Sequence, residues 1–242
     1  MILCPRKVRW AGISKSVVLL LLLSWQPCAR CAVFVNLDFE SVVQPLVIDP
    51  TLNSAPISTA LPGWQLLTGS ASLDYVYYND VTLTPYAGAS LYSAGNSIGT
   101  VIDGQYTITL NSGLLRVPGP LLGVSSAISQ TGLVPAGSRS ILLKGGGGPF
   151  SVSLNGQQIP MVPIAAQPHF TLFAGDVSPF SGSDAQLSIA VHYDGNWPLG
   201  QYHFFSVDDI QFSPNPVPEP SVFAVLALGS ACLFYVSRRA QK

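Results

Sequence analysis

The chain has 242 residues, only 10% of them charged, and a formal net charge of −1 at pH 7. That near-neutral value hides a segregation: the first 31 residues carry five bases and no acid, the last five carry three bases, and residues 32–213 set Arg116, Arg139 and Lys144 against eleven acids, a net charge of −8. So acidic a body repels a phosphate backbone and excludes nucleic acid as a partner, while its scarcity of Glu, Lys and Arg among abundant Gly, Ser, Thr, Pro and Val excludes a helical domain.

Residues 1–31 read as a secretory signal peptide. Arg6, Lys7, Arg9 and Lys15 form a basic leader, Val17 to Leu23 are continuously apolar, and Ala29-Arg30-Cys31 places small residues at the −3 and −1 cleavage positions. The cut is expected near Cys31 or Ala32. Cys4, Cys28, Cys31 and Cys232 all lie in the end segments, so the body holds no disulfide. An exported domain of this kind must be held by its core, by a bound ion, or by both.

The body, residues 32–213, shows recurrent strand-like runs: Val33–Glu40, Leu73–Tyr78, Gln105–Leu110, Gly123–Thr131, Ser138–Lys144, Phe150–Leu154, His169–Phe173, Gln186–Tyr193 and His203–Phe212. Partial period-two alternation and terminal Gly, Pro, Asn or Asp support each one. Asn155-Gly156 predicts a tight hairpin between Ser151–Leu154 and Gln157–Ile159. Gly145 to Gly148 read as a flexible connection. The expectation is an all-β fold, an antiparallel two-sheet sandwich of the jelly-roll kind, with helices only at the two ends of the chain.

Beyond the body, residues 214–220 form a proline-rich linker ending in Pro218-Glu219-Pro220. Residues 221–237 come next as a single transmembrane helix. Its uncharged stretch Ser221–Val236 would be ~24 Å long as a helix, slightly short of a ~30 Å hydrocarbon core. Residues 238–242, with Arg238 and Arg239, are the basic cytoplasmic tail. This triplet, short hydrophobic helix and terminal arginines resemble a PEP-CTERM sorting signal. The resemblance implies an exosortase as processing partner, export with transient anchoring in the inner membrane, and a final place at the cell surface or in an exopolysaccharide matrix.

Within the body, several segments resemble the galactose-binding-like β-sandwich of many carbohydrate-binding modules. They are Asn36-Leu37-Asp38-Phe39-Glu40, Pro62-Gly63-Trp64, Ile128-Ser129-Gln130-Thr131 with Val134-Pro135-Ala136-Gly137, and Ser206-Val207-Asp208-Asp209-Ile210, in family order. Leu37 stands where the family has Gly. The resemblance implies that the first and last strands lie close and that acids there help hold a structural Ca²⁺. Glu40 and Asp208 are the expected ligands, with Asp38 beside Glu40 on one strand face, Asp208 and Asp209 on opposite faces, and backbone carbonyls completing the shell.

Two further kinds of chemistry are legible. Tyr75 and Tyr77 share a strand face and, with Trp197, offer aromatic faces for a sugar; the alternative is that these rings serve the sheet itself, and Trp64 reads as core. Gly95-Asn96-Ser97-Ile98-Gly99 has the letters of a hydrolase elbow, but Thr100 to Gln105 read as turn and strand where that motif needs a helix. His169, His192 and His203 lack metal-ligand spacing, although His192 and His203 are expected on adjacent strands. The sequence therefore describes a non-catalytic structural or adhesive envelope protein. A carbohydrate-binding module for exopolysaccharide or another glycan is the alternative, and a secreted hydrolase a distant one.

Overall fold

Alternation of apolar and small polar residues builds the body into two sheets facing each other across one core. The computed structural model describes residues 32–80, 85–97, 99–115, 122–195 and 203–218. The predicted signal peptide, the transmembrane helix, Trp197, Glu219, Pro220, Arg238 and Arg239 lie outside the described residues. Among the described residues no helix is long and apolar enough to cross a membrane.

In chain order the elements are β1 (Ser54–Pro56), the one-turn α1 (Ile57–Ala60), β2 (Gln65–Thr68), β3 (Ala71–Leu73), β4 (Tyr75–Tyr78), β5 (Gly88–Ser93), β6 (Tyr106–Asn111), β7 (Gly113–Leu114), β8 (Gly123–Val124) and β9 (Ser126–Leu133). Then come β10 (Ser140–Gly147), β11 (Ser151–Leu154), β12 (Gln157–Ile159), β13 (Val162–Ala166), β14 (Thr171–Asp176), β15 (Asp184–Val191) and β16 (Phe204–Ser213). The larger sheet has the order β1-β4-β5-β6-β16-β10-β14-β13 and the smaller β12-β11-β15-β9-β2-β3, with β7 and β8 as a separate ribbon. Among the described strands the pairings are antiparallel except β4 with β5, which run parallel.

The smaller sheet contributes Leu66, Ile128, Val152, Leu154, Leu187 and Ile189 to the core; the larger contributes Val76, Leu91, Ile108, Leu110, Ile141, Leu143 and Val207. At one end Phe205 stacks on Phe150 with ring centroids 3.8 Å apart, and Phe173 meets both edge-on. The predicted Asn155-Gly156 hairpin forms between β11 and β12, and both turn residues have the positive φ that a type I′ turn requires.

Two expectations about this architecture are corrected. Gly145 to Gly147 are not a connection but the end of β10, paired with β16. Gly145 faces the core, where a Cβ would overlap the Phe205 ring, so the glycine makes room for the aromatic stack. Val33–Glu40 is not a strand either. The Gln130 side chain takes the place of a neighbouring strand by accepting from Val35 N at 2.6 Å and donating to Val35 O at 2.9 Å. Beyond it, positive φ at Asn36 and Phe39 turns the chain.

Candidate functional site

The turn at Asn36–Ser41 sets the position of Glu40. Asn36 Oδ1 accepts from Ser41 N at 2.8 Å, and Asn36 O accepts from the Trp64 indole at 2.9 Å. Phe39 is buried against Trp64. The turn is tied to the last strand by Ile210 N donating to Leu37 O at 3.0 Å. Leu37 sits in this turn without strain, because the left-handed residues are Asn36 and Phe39. Asp38 remains exposed and accepts from Glu40 N at 3.3 Å; it closes the turn and does not converge with the other acids.

Asp208 comes to the same place from β16. Leu142 pairs with Gln211 and Lys144 with Asp208, so Leu143 alone faces both Asp209 and Ile210. This β-bulge, with Asp209 at φ +45°, corrects the expectation that the two acids point to opposite faces. Asp209 bonds Lys144 at 2.7 Å and accepts from Gln211 Nε2 at 2.7 Å, so it lies with Asp208 on the outer face of the larger sheet.

The connection between β5 and β6 joins the two halves. Glu40 Oε1 accepts from Gln105 N at 2.7 Å and Tyr106 N at 3.0 Å. Asp208 Oδ2 accepts from Asp103 N at 3.2 Å and from the Thr107 hydroxyl, while Oδ1 accepts from Asp209 N at 2.8 Å. Gly104, at φ +60°, lies so close that a Cβ would overlap the Glu40 carboxylate.

The electrostatics of this site are unbalanced. Asp208 is 1% exposed. Burial pushes its carboxyl up to about 7, hydrogen bonds from Thr107, Asp209 N and Asp103 N work against this, and the Glu40 charge adds to the rise. Lys144 faces Asp208 in the ladder but bonds Asp103 and Asp209 instead. Among the described residues no basic group bonds either Glu40 or Asp208. Carboxylate oxygens are donors a hard cation prefers. Among the described residues no three His, Cys, Asp or Glu side chains converge on one point, so carbonyl oxygens would have to complete the shell of any ion held by Glu40 and Asp208.

Beside the carboxylates, the β5–β6 connection encloses a depression of about 370 Å³, lined by Gly95, Gly99, Val101, Ile102, Asp103 and Gly104 among others. Gly99 lies against the Tyr92 ring. Ile102 N donates to the Thr107 hydroxyl at 2.8 Å. Lys144 fastens Asp103 at the rim; burial lowers the pKa of this ammonium, but bonds to Asp103 and Asp209 outweigh that and raise it. Sequence reasoning missed Asp103, Thr107 and Lys144. Asp103-Gly104 was the available signal, a turn-forming pair ahead of a strand.

The remaining predicted residues are dispersed. Tyr75 and Tyr77 meet edge-on with centroids 5.7 Å apart, but Tyr77 is 2% exposed. The pair therefore offers no two-ring platform, because the outer face of β4 is covered there. Trp64 is core, as expected. Ser97 sits in the β5–β6 connection, with β6 and not a helix as the next element. His192 and His203 flank β15 and β16 and are not strand neighbours: His192 bonds Ser151 at 2.6 Å, and His203 bonds Asp194 at 3.2 Å. Pro218 is exposed.

No protein-family model matches the chain, and no curated protein matches it. Among solved structures, the chain is similar to a carbohydrate-binding module, TmCBM61, solved in complex with beta-1,4-galactotriose. The two are 13% identical with a TM-score of 0.39, over 75% of this chain and 97% of that one. A likeness at this level extends to no ligand and no site.

Proposed function

We propose that this chain is an exported, exosortase-sorted envelope or matrix protein whose body is a non-catalytic β-sandwich with a structural or adhesive role. The observation that carries the reading is the way the chain leaves the sandwich. β16 ends at Ser213, Ser140 Oγ holds Asn215 O at 2.8 Å, and the chain then runs out as exposed prolines directly before the Pro-Glu-Pro triplet. A processing enzyme could reach Pro218 without opening the fold. Within the body, Ca²⁺ held by Glu40 and Asp208 would supply the positive charge these carboxylates lack, joining the first turn to the last strand in a domain that has no disulfide.

Intact-mass measurement of the native product tests this. Expected is a chain beginning near Ala32 and lacking everything after the Pro-Glu-Pro region, recovered from the envelope or the medium. A chain with both ends intact, recovered from the cytosol, overturns it. A carbohydrate-binding module is the second reading, favoured by the open depression beside the carboxylates.

A further inference from the structure

We infer that the depression in the β5–β6 connection is a seat for a primary ammonium group and that the ligand bearing it is an amine-containing polysaccharide. Peptide geometry fixes where its carbonyls point. In a trans peptide, N–H and the preceding C=O point in opposite directions. The amides of Ile102, Asp103 and Gln105 are turned onto Thr107, Asp208 and Glu40. The carbonyls of Val101, Ile102 and Gly104 therefore point the other way, and all three residues line the depression. Gly99 and Gly104 add no side chain to screen these oxygens.

The rest of the lining agrees in sign. Asp103 stands at the rim with its side chain 56% exposed. Lys144 lies between two carboxylates, Asp103 and Asp209, so the group keeps a net negative charge. The site offers acceptors and negative charge without a basic side chain among its lining residues, which suits a group with three N–H donors and a positive charge. At about 370 Å³ it falls within the range of small-molecule sites and has room for one sugar ring. The body's charge of −8 would attract a polymer that carries such a group on successive units.

This inference rests on the reading of an exported domain lodged among polysaccharides. Calorimetric titration of the full chain with a fully deacetylated glucosamine hexamer, and separately with the N-acetylglucosamine hexamer, tests it. Expected is binding of the amine form at least about tenfold tighter than the acetylated form, weakening as salt is added. Val101→Lys should weaken that binding about tenfold with an unchanged melting temperature, because it puts a like charge in the seat. Thr131→Lys, the same charge change on the exposed face of the other sheet, should leave binding as it was. Equal affinity for the two hexamers, or equal losses in the two lysine variants, overturns the proposal. A processed, exported chain that binds neither hexamer removes the ammonium seat alone; an unprocessed cytosolic chain removes the reading beneath it.

Discussion

Lys144 and Asp208 stand opposite each other in the β10–β16 ladder, yet the Lys144 ammonium bonds Asp209 at 2.7 Å and Asp103 across the outer face. The bulge makes this possible by turning Asp209 to the side where Lys144 lies. The cation that faces Asp208 in the ladder is thereby used to hold the β5–β6 connection, and Asp208 is left to amides and a hydroxyl. Lys144→Met should cost about 1 kcal/mol, the scale of a partly exposed ion pair. Its clearer signature is local: faster hydrogen exchange at the amides of Ile102 and Asp103, with the amides inside β9 unchanged. Uniform exchange across both regions would refute a role for Lys144 as a clasp.

The raised carboxyl of Asp208 gives a signed pH dependence. Its folded pKa of about 7 lies above the ordinary 3.8, so without metal the folded state binds the proton more tightly than the unfolded chain does. The associated stability is fully present below about pH 4 and is lost as the pH rises to about 7, a loss on the order of 4 kcal/mol. Ca²⁺ requires the ionised carboxylate, so its effect has the opposite slope. Thermal melts in chelator should fall in midpoint from pH 5 to pH 8, and added Ca²⁺ should raise the midpoint far more at pH 8 than at pH 5. Glu40→Gln should abolish the calcium increment. Equal midpoints with and without chelator at pH 8 would exclude the ion.

The glycine run at the end of β10 separates two neighbouring positions. At Gly145 a Cβ would overlap the Phe205 ring, whereas at Gly146 the nearest atom is His169 O at 3.8 Å. Gly145→Ala should destabilise the domain by about 1–3 kcal/mol, the usual cost of overpacking a core. Gly146→Ala should be neutral or slightly stabilising, because alanine restricts the unfolded chain. Denaturant unfolding of the two variants checks the contrast, and equal losses would count against it.

Much of the larger architecture was legible from alternation alone. β11 and β15 carry apolar residues at every second position, and Asn155-Gly156 marks its own turn. β5 was missed because Gly88-Ala89-Ser90-Leu91 is too weakly apolar to register, and β13 because Pro163 argues against a strand except at an edge, where it lies. The carboxylate site was half legible. Glu40 and Asp208 each bond the β5–β6 connection, but nothing local announces the bulge at Asp209 or the side-chain amide of Gln130 that replaces a strand beside Val35. Both depend on partners far away in sequence. Tyr77 illustrates the same limit: strand parity puts it on one face with Tyr75, but does not show what covers that face.

The position of β16 has a mechanical consequence. It lies between β6 and β10 inside the larger sheet, and the proline segment continues directly from its end. A pull on that segment loads the strand along its own axis, while the ladder hydrogen bonds lie across that axis. The bonds on both sides must then shear together instead of parting one by one. β6, which leads from the depression, is one of the two strands sharing that load, so tension between the chain's exit and anything held there would cross a single interstrand seam.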